Sequence, residues 1–293
     1  MQSDAATLPR PSDHYENFPV ASWLCPPALR PAIGAIYWFA RTADDIADEG
    51  DAPAEQRLAE LADYRADLHR VHQGLPHGGR WPAVFEALGR EIVRHRLPLQ
   101  LLDDLLDAFR QDIAYTAEGH RYRDDDELLD YCRRSANPVG RLLLHLYGID
   151  DPVSLAQSDR ICTALQLINF WQDLGRDLAQ GRWYPSQAAM QRHGLDEAAL
   201  REGRDDAAAQ ALVRGYARQA WQMMLEGAPL AWRVPGRAGW ELRLVVQGGL
   251  RILEKIRAME HRTWLARPRL HAPDLPLLAW RAWRRRLPMP DAA

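Results

Sequence analysis

Two groups of aspartates carry the chemistry most readily seen in this chain. Asp44, Asp45 and Asp48 form one, followed by Glu49; Asp173 and Asp177 form the other. In each group carboxylates recur four residues apart. That spacing stacks side chains on one helix face, roughly 5–6 Å between Cβ atoms. Like charges so placed destabilise a helix by about 0.2–0.5 kcal/mol, so a chain that does this twice beside apolar sequence puts the charge to use. Hard divalent cations take carboxylate oxygens, and Mg²⁺ combines a few carboxylates with substrate phosphates. Two facing acidic helices are therefore expected to hold a metal–diphosphate cluster between them.

The neighbouring residues fit that chemistry. Tyr37, Arg41, Asp44, Asp45 and Asp48 form one stripe of a 3.6-residue helix, while Ile33, Ile36 and Phe39 supply an apolar face. Arginine suits such a stripe because its planar fork binds phosphate bidentately and stays charged. Gln166, Asn169, Asp173 and Asp177 form a second stripe, with Ile161, Ala164, Leu165 and Ile168 around them. Asn169 can offer a carbonyl oxygen to a metal, and Gln166 can hydrogen-bond a substrate or water. The plainer readings are a solvated charged face for the first stripe and a buried polar network for the second. Taken as a pair, the stripes favour a site.

Helical periodicity runs almost end to end through the elements that must position these residues, and strand signals are nearly absent. The pattern predicts helices near 28–48, 53–73, 81–96, 99–116, 125–147, 154–178, 206–226 and 240–265. Turn chemistry separates them at Gly74 to Pro82, Gly148 to Pro152, Gly181 to Pro185 and Gly227 to Gly239. With no repeat and no long linker, the expectation is one all-α domain over 1–293, its core at 13–268 and a tail at 269–293. The 47% hydrophobic content allows a large core, and the net charge of −3 argues against a nucleic-acid partner. Cys25, Cys132 and Cys162 lack metal or disulfide spacing, which fits a reducing, cytoplasmic location. No stretch approaches the ~18 apolar residues of a membrane span. The tail differs in kind: Leu275 to Pro288 mixes Leu and Trp with arginines. It reads equally as an amphipathic anchor peripheral to the inner membrane or as a terminal helix docked on the bundle with solvated arginines.

Four blocks in order resemble the squalene/phytoene synthase family of head-to-head prenyl synthases. They are His14–Pro19 (HYENFP), IYWFARTADDIADE at 36–49, YCRRSANPVGR at 131–141 and QLINFWQDLGRDLAQGRWYP at 166–185. The resemblance implies an all-α isoprenoid-synthase helical bundle with a central active-site cavity, acting on a prenyl diphosphate. By the same resemblance Asp44, Asp45, Asp48, Asp173 and Asp177 bind Mg²⁺, and Asn169 completes the second metal helix. His14, Tyr37 and Arg41 contact diphosphate or its metals. Gln166 faces the cavity, Tyr131 lies near the reacting centre, and the segment with Arg182 and Tyr184 forms a flap.

Four positions depart from the commoner pattern of the family: Gln172, Arg176, and Pro138 and Arg141, which are unlike the common Gly-rich and acidic choices of their block. Gln172 stands where many members carry Arg, and Arg176 where many carry Glu. These departures, with the HYENFPVAS and NFWQD blocks, resemble the hopanoid-pathway hydroxysqualene synthases. Such enzymes ionise presqualene diphosphate, rearrange the cation and capture it with water, so no NADPH is expected. Phe18, Trp38, Phe39, Phe170 and Trp171 are candidates for a cation-shielding wall, though each is individually more ordinary as core. Tyr131, Ser135 and Gln172 are the set from which a water-orienting group would come. The alternatives are a squalene, dehydrosqualene or phytoene synthase that condenses two prenyl diphosphates, and a non-catalytic assembly factor. Association with other squalene-pathway enzymes is a further implication.

Overall fold

The computed structural model describes residues 25–203, 206–284 and 286–288. His14 and Phe18 lie outside them. Every regular element among the described residues is a helix, as the periodicity requires. The helices gather into two compact units, the first being the chain through Ala117 with Arg141–Asp150 and the second Glu118–Gly140 with Asp151 onward.

The first unit contains α1 (Arg30–Asp48), α2 (Ala54–His72), α3 (Pro82–His95) and α4 (Leu99–Glu118). Pro31 starts α1 where a missing N–H costs nothing. Its apolar face buries Ile33, Ile36 and Phe39. Phe39 stacks on Tyr64 of α2 at 5.3 Å, and Tyr64 lies 4.8 Å from Phe85 of α3. The buried Tyr64 hydroxyl donates to the Phe39 carbonyl at 3.0 Å, and burial raises its pKa well above the usual phenol range. Phe39 is thus core, and this aromatic knot fixes the helix that bears the first aspartates.

Two helices begin near the boundary between the units: α5 (Asp125–Ser135) and α6 (Asn137–Leu146). The periodicity predicts one helix over 125–147, but the chain breaks at Ala136. Pro138 accounts for this, since it has no N–H and its ring clashes with the carbonyl four residues back.

In the second unit α7 (Pro152–Gln172) is buried on several sides, and it starts on an Asp151 cap that accepts the Ser154 N–H at 3.0 Å. The expected helix 154–178 is interrupted at Asp173 (φ −100°, ψ 9°), after which α8 (Leu174–Ala179) continues. Two short helices follow, α9 (Gln187–Arg192) and α10 (Glu197–Arg201), then α11 (Ala207–Gly227) and α12 (Leu230–Arg233). α11 packs along α7 closely enough that a Cβ on Gly227 would sit 2.6 Å from Ile161 Cγ1 and 2.7 Å from the Gln157 carbonyl. Trp171 stacks on Tyr216 at 3.9 Å across the same contact.

α13 (Gly236–Ala258) starts four residues earlier than the periodicity suggests and ends seven earlier. Pro235 in extended geometry sets its start. Its end is set by Glu260 and His261, two successive non-glycine residues with left-handed φ of 55° and 64°. Such backbone is uncommon and strained. Here it turns the chain out of the helix into the 262–268 segment. The tail forms α14 (Asp274–Arg284), docked on α13.

Candidate active site

The first aspartate motif occupies the last turns of α1, where Arg41 is its organiser. Its guanidinium lies 3.1 Å from Asp44, 2.7 Å from Asp45 and 2.8 Å from Glu49. Burial would lower the Arg41 pKa, but Asp45, Asp44 and Glu49 outweigh it and the pKa is raised. Asp44 and Asp45 are partly exposed, and Asp48, one turn further, is exposed. Tyr37 shares the stripe, its ring edge-on to Trp38 at 5.2 Å.

Sequence spacing missed the group that terminates this helix. Arg57 of α2 donates to the carbonyls of Ile46 (3.1 Å), Ala47 (2.8 Å), Gly50 (2.6 Å) and Ala52 (2.9 Å). A helix leaves its last carbonyls without intrahelical partners, and a cation there also meets the negative end of the helix dipole. Arg57 does both, and so holds the frame of the aspartate motif. Nothing at position 57 marks the role in the sequence, where it is one arginine among many.

The second motif is more enclosed. Asp173 and Asp177 are both more than nine-tenths buried. The kink at Asp173 does not cost the backbone ladder, since Asp173 N–H still reaches the Asn169 carbonyl and Asp177 N–H the Asp173 carbonyl, each at 2.9 Å. Arg267 forms a two-point ion pair with Asp173, its Nη2 donating to Oδ2 at 2.9 Å and its Nε pairing with Oδ1. Arg182 pairs with Asp177 at 3.4 Å. Gln172 is buried, and its amide nitrogen donates to the Pro268 carbonyl at 2.6 Å. The donor end of that amide therefore anchors the 262–268 segment. A Cβ on Gly175 would lie 2.5 Å from the Trp264 carbonyl oxygen, so only glycine lets this segment lie against α8. Arg267 stands 94 positions from Asp173, and no local pattern could have paired them.

The segment after Asp177 is pinned at both ends. Tyr184 stacks on Phe170 at 3.7 Å, with Tyr131 and Tyr122 rings 6.5 and 6.4 Å away. Trp183 is buried between the guanidinium groups of Arg121 (4.5 Å) and Arg201 (5.1 Å). Beyond it, Ser186 accepts no slack: its N–H reaches the Tyr216 hydroxyl at 2.9 Å and its hydroxyl donates to Asp125 at 2.7 Å. Tyr131 is buried in this aromatic group, Phe170 and Trp171 are fully packed, and Gln166 and Asn169 are half-buried on α7. The Ser135 hydroxyl is out of solvent, with no hydrogen-bond partner among the described residues. Arg176 is exposed.

The donor chemistry of both motifs fits a hard divalent cation. It is carboxylate oxygen with one amide from Asn169, and no soft ligand is present. Among the described residues no three of His, Cys, Asp or Glu converge as a metal cage.

The family model for squalene/phytoene synthases matches residues 12–281. The chain belongs to the squalene/phytoene synthase family. It is 33% identical over 264 residues to a hydroxysqualene synthase of Sinorhizobium fredii, covering 90% of this chain and 85% of that protein. It is 42% identical over 177 residues to the hydroxysqualene synthase of Zymomonas mobilis, covering 59% of this chain. That match spans only 56% of the Zymomonas protein's own length. Its fold is that of the crystal structure of squalene synthase HpnC from Alicyclobacillus acidocaldarius, with a TM-score of 0.77 at 35% identity, covering 85% of this chain and 91% of that one. The chain is an all-α, prenyl diphosphate-utilising synthase of that family. No described helix is long and apolar enough to cross a membrane.

Proposed function

We propose that this chain converts presqualene diphosphate to hydroxysqualene in a Mg²⁺-dependent reaction. The observation that carries the reading is its likeness, over nine-tenths of its length, to a protein named hydroxysqualene synthase. The buried, arginine-paired carboxylates of the second motif support it. Asp44, Asp45 and Asp48 would hold Mg²⁺ in the first motif, and Asp173, Asp177 and Asn169 in the second. Bound Mg²⁺ would neutralise charge on the departing diphosphate. His14, Tyr37, Arg41, Gln166 and Arg182 are assigned to the substrate.

The chain's own groups account for the remaining steps. The C–O bond to diphosphate breaks and its electron pair leaves with the diphosphate. Arg41, Arg182 and Arg267, here paired with carboxylates of the two motifs, would turn to the departing diphosphate when those carboxylates hold the metal. Aromatic faces at Tyr131, Phe170 and Tyr184 shield the carbocation from early water and interact with it through their quadrupoles. Capture by one water, which loses a proton, gives the alcohol. Ser135 or Tyr131 is favoured over Gln172 for orienting that water, because the Gln172 donor is held by Pro268. The apolar product suits peripheral delivery at the inner membrane and association with other squalene-pathway enzymes.

The test is turnover of presqualene diphosphate with Mg²⁺ and with chelator, with products identified by chromatography. Hydroxysqualene formed without NADPH is expected. Asp173→Asn should lower kcat at least about a hundredfold, as loss of charge stabilisation at a transition state does. Release of phytoene or dehydrosqualene from two prenyl diphosphates would overturn the reading, as would near-full activity of Asp173→Asn.

A further inference from the structure

The tail poses a choice between a docked helix and a membrane anchor, and α14 has the features of both. Its inner face is clamped to α13. Asp274 is buried and pairs with Arg251 and Lys255, each at 2.8 Å. Arg281 reaches Glu254 at 2.7 Å, while Leu278 and Ala282 fill the space between. Beyond the helix the chain stays attached, with Trp221 Nε1 donating to the Pro288 carbonyl at 3.1 Å and Gln247 Nε2 to the Arg286 carbonyl at 2.7 Å.

The outer face is the anomaly. A docked surface helix normally turns its polar residues outward. Here the polar residues Asp274 and Arg281 are spent on the inner clamp, and Leu275, Pro276, Ala279, Trp280 and Trp283 point out. Leu275, Ala279 and Trp283 follow i, i+4 spacing and Pro276 and Trp280 form the neighbouring row, giving a face about 12 Å long at 1.5 Å per residue. Trp283 is 65% exposed and Leu275 60%. Of the eight large apolar side chains that stand exposed among the described residues, three, Leu275, Trp280 and Trp283, stand on this one short helix. This is a concentrated patch rather than the scatter of single apolar residues usual on a surface.

Charge identifies the occupant. Residues 267–288 hold six arginines and one acidic residue, Asp274, in a chain whose net charge is −3. Asp274 is neutralised in the clamp, so no carboxylate of the segment faces out. The Arg284 guanidinium lies over the Trp283 ring at 5.2 Å and that of Arg286 over Trp280 at 5.5 Å. Tryptophan beside arginine is the pairing favoured at the headgroup level of a bilayer, where the ring is half in lipid and the cation meets phosphate. A second copy of this chain would bring the same arginines against each other.

We infer that the outward stripe of α14, Leu275, Trp280 and Trp283 with Arg284 and Arg286, is a docking surface for an anionic lipid bilayer, held rigidly on the fold by the Asp274–Arg251–Lys255 clamp. It names the surface for the delivery proposed above, and rests on that reading for its purpose only. Binding is measured without substrate, so its failure leaves the product assignment standing, and the reverse holds.

The experiment is co-sedimentation of the full chain with vesicles of phosphatidylcholine and phosphatidylglycerol, and with phosphatidylcholine alone. The wild type should sediment with the anionic vesicles and be released by high salt, which shortens the Debye length to a few ångströms. Trp280→Ser with Trp283→Ser should lower the partition coefficient at least about tenfold, with little change in the circular dichroism melt because neither side chain belongs to the buried core. Arg284→Glu with Arg286→Glu should do the same through charge, and reads the proposal independently should the tryptophan variant fold poorly. Equal sedimentation of wild type and both variants would overturn it. So would a dimer in ultracentrifugation without lipid that the tryptophan variant converts to monomer, because the stripe would then be a contact between copies.

Discussion

Replacing Gly175 by alanine sets two effects of known size against each other. Gly175 lies within α8, and helix propensity alone says that alanine should stabilise by about 1 kcal/mol. The added Cβ would, however, sit 2.5 Å from the Trp264 carbonyl oxygen and 3.0 Å from its Cα. Ordinary contact begins near 3.4 Å, so the 264 backbone must retreat by about 0.9 Å, a shift of the kind that overpacking costs at about 1–3 kcal/mol. The upper part of that range applies, because the obstacle is backbone and its segment is tied down by Arg267–Asp173 and Gln172–Pro268. The expected outcome is a net loss of about 1–2 kcal/mol, read as a lower urea midpoint. Gly215 in α11 is the control: it is exposed, and an added Cβ there meets nothing within 4 Å. Gly215→Ala should therefore raise the midpoint, by about 0.5–1 kcal/mol. If Gly175→Ala were as stable as wild type or more so, the close packing of the 262–268 segment on α8 would be refuted, and with it the seating of Arg267 on Asp173.

Two further outcomes follow from the same reasoning. Arg57→Ala strips two carbonyls at the end of α1 and two in the loop after it of their donor; since the group is partly solvated, about 1–2 kcal/mol should be lost. Arg57→Lys should recover less than half of it in urea denaturation, since one ammonium cannot span four acceptors. Asp274 gives a pH signature. Burial by itself would raise its pKa, but Lys255, the His271 N–H and Arg251 outweigh that and hold it well below the usual carboxylate range. With the folded pKa depressed, the clamp contributes its full stability above the unfolded value of about 3.9 and loses it as pH falls from there through the folded value. Unfolding midpoints measured from neutral to acid pH should fall more steeply below about pH 4 for wild type than for Asp274→Asn.

Short-range order in the sequence decided much of this protein. The all-α class and the positions of α1 to α4 follow from apolar spacing, because a helix meets its own residues three and four apart whatever surrounds it. The stripe of Tyr37, Arg41, Asp44 and Asp45 follows for the same reason, and Arg41 pairs with both aspartates inside a single helix. What spacing could not supply depends on backbone that leaves helical geometry or on partners far along the chain. The break at Ala136 and the kink at Asp173 interrupt sequence that reads as continuous helix. The strained turn at Glu260 and His261 ends α13 early and sends the chain back to the second motif. Arg267 and Pro268 then meet Asp173 and Gln172, 94 and 96 positions away. The tail shows the division most plainly. Its composition already held both an anchor and a docked helix, but only the ion pairs of Asp274 and Arg281 with α13 determine which side of α14 turns inward. Because those two polar residues lie on the inner side, the tryptophans are left facing out.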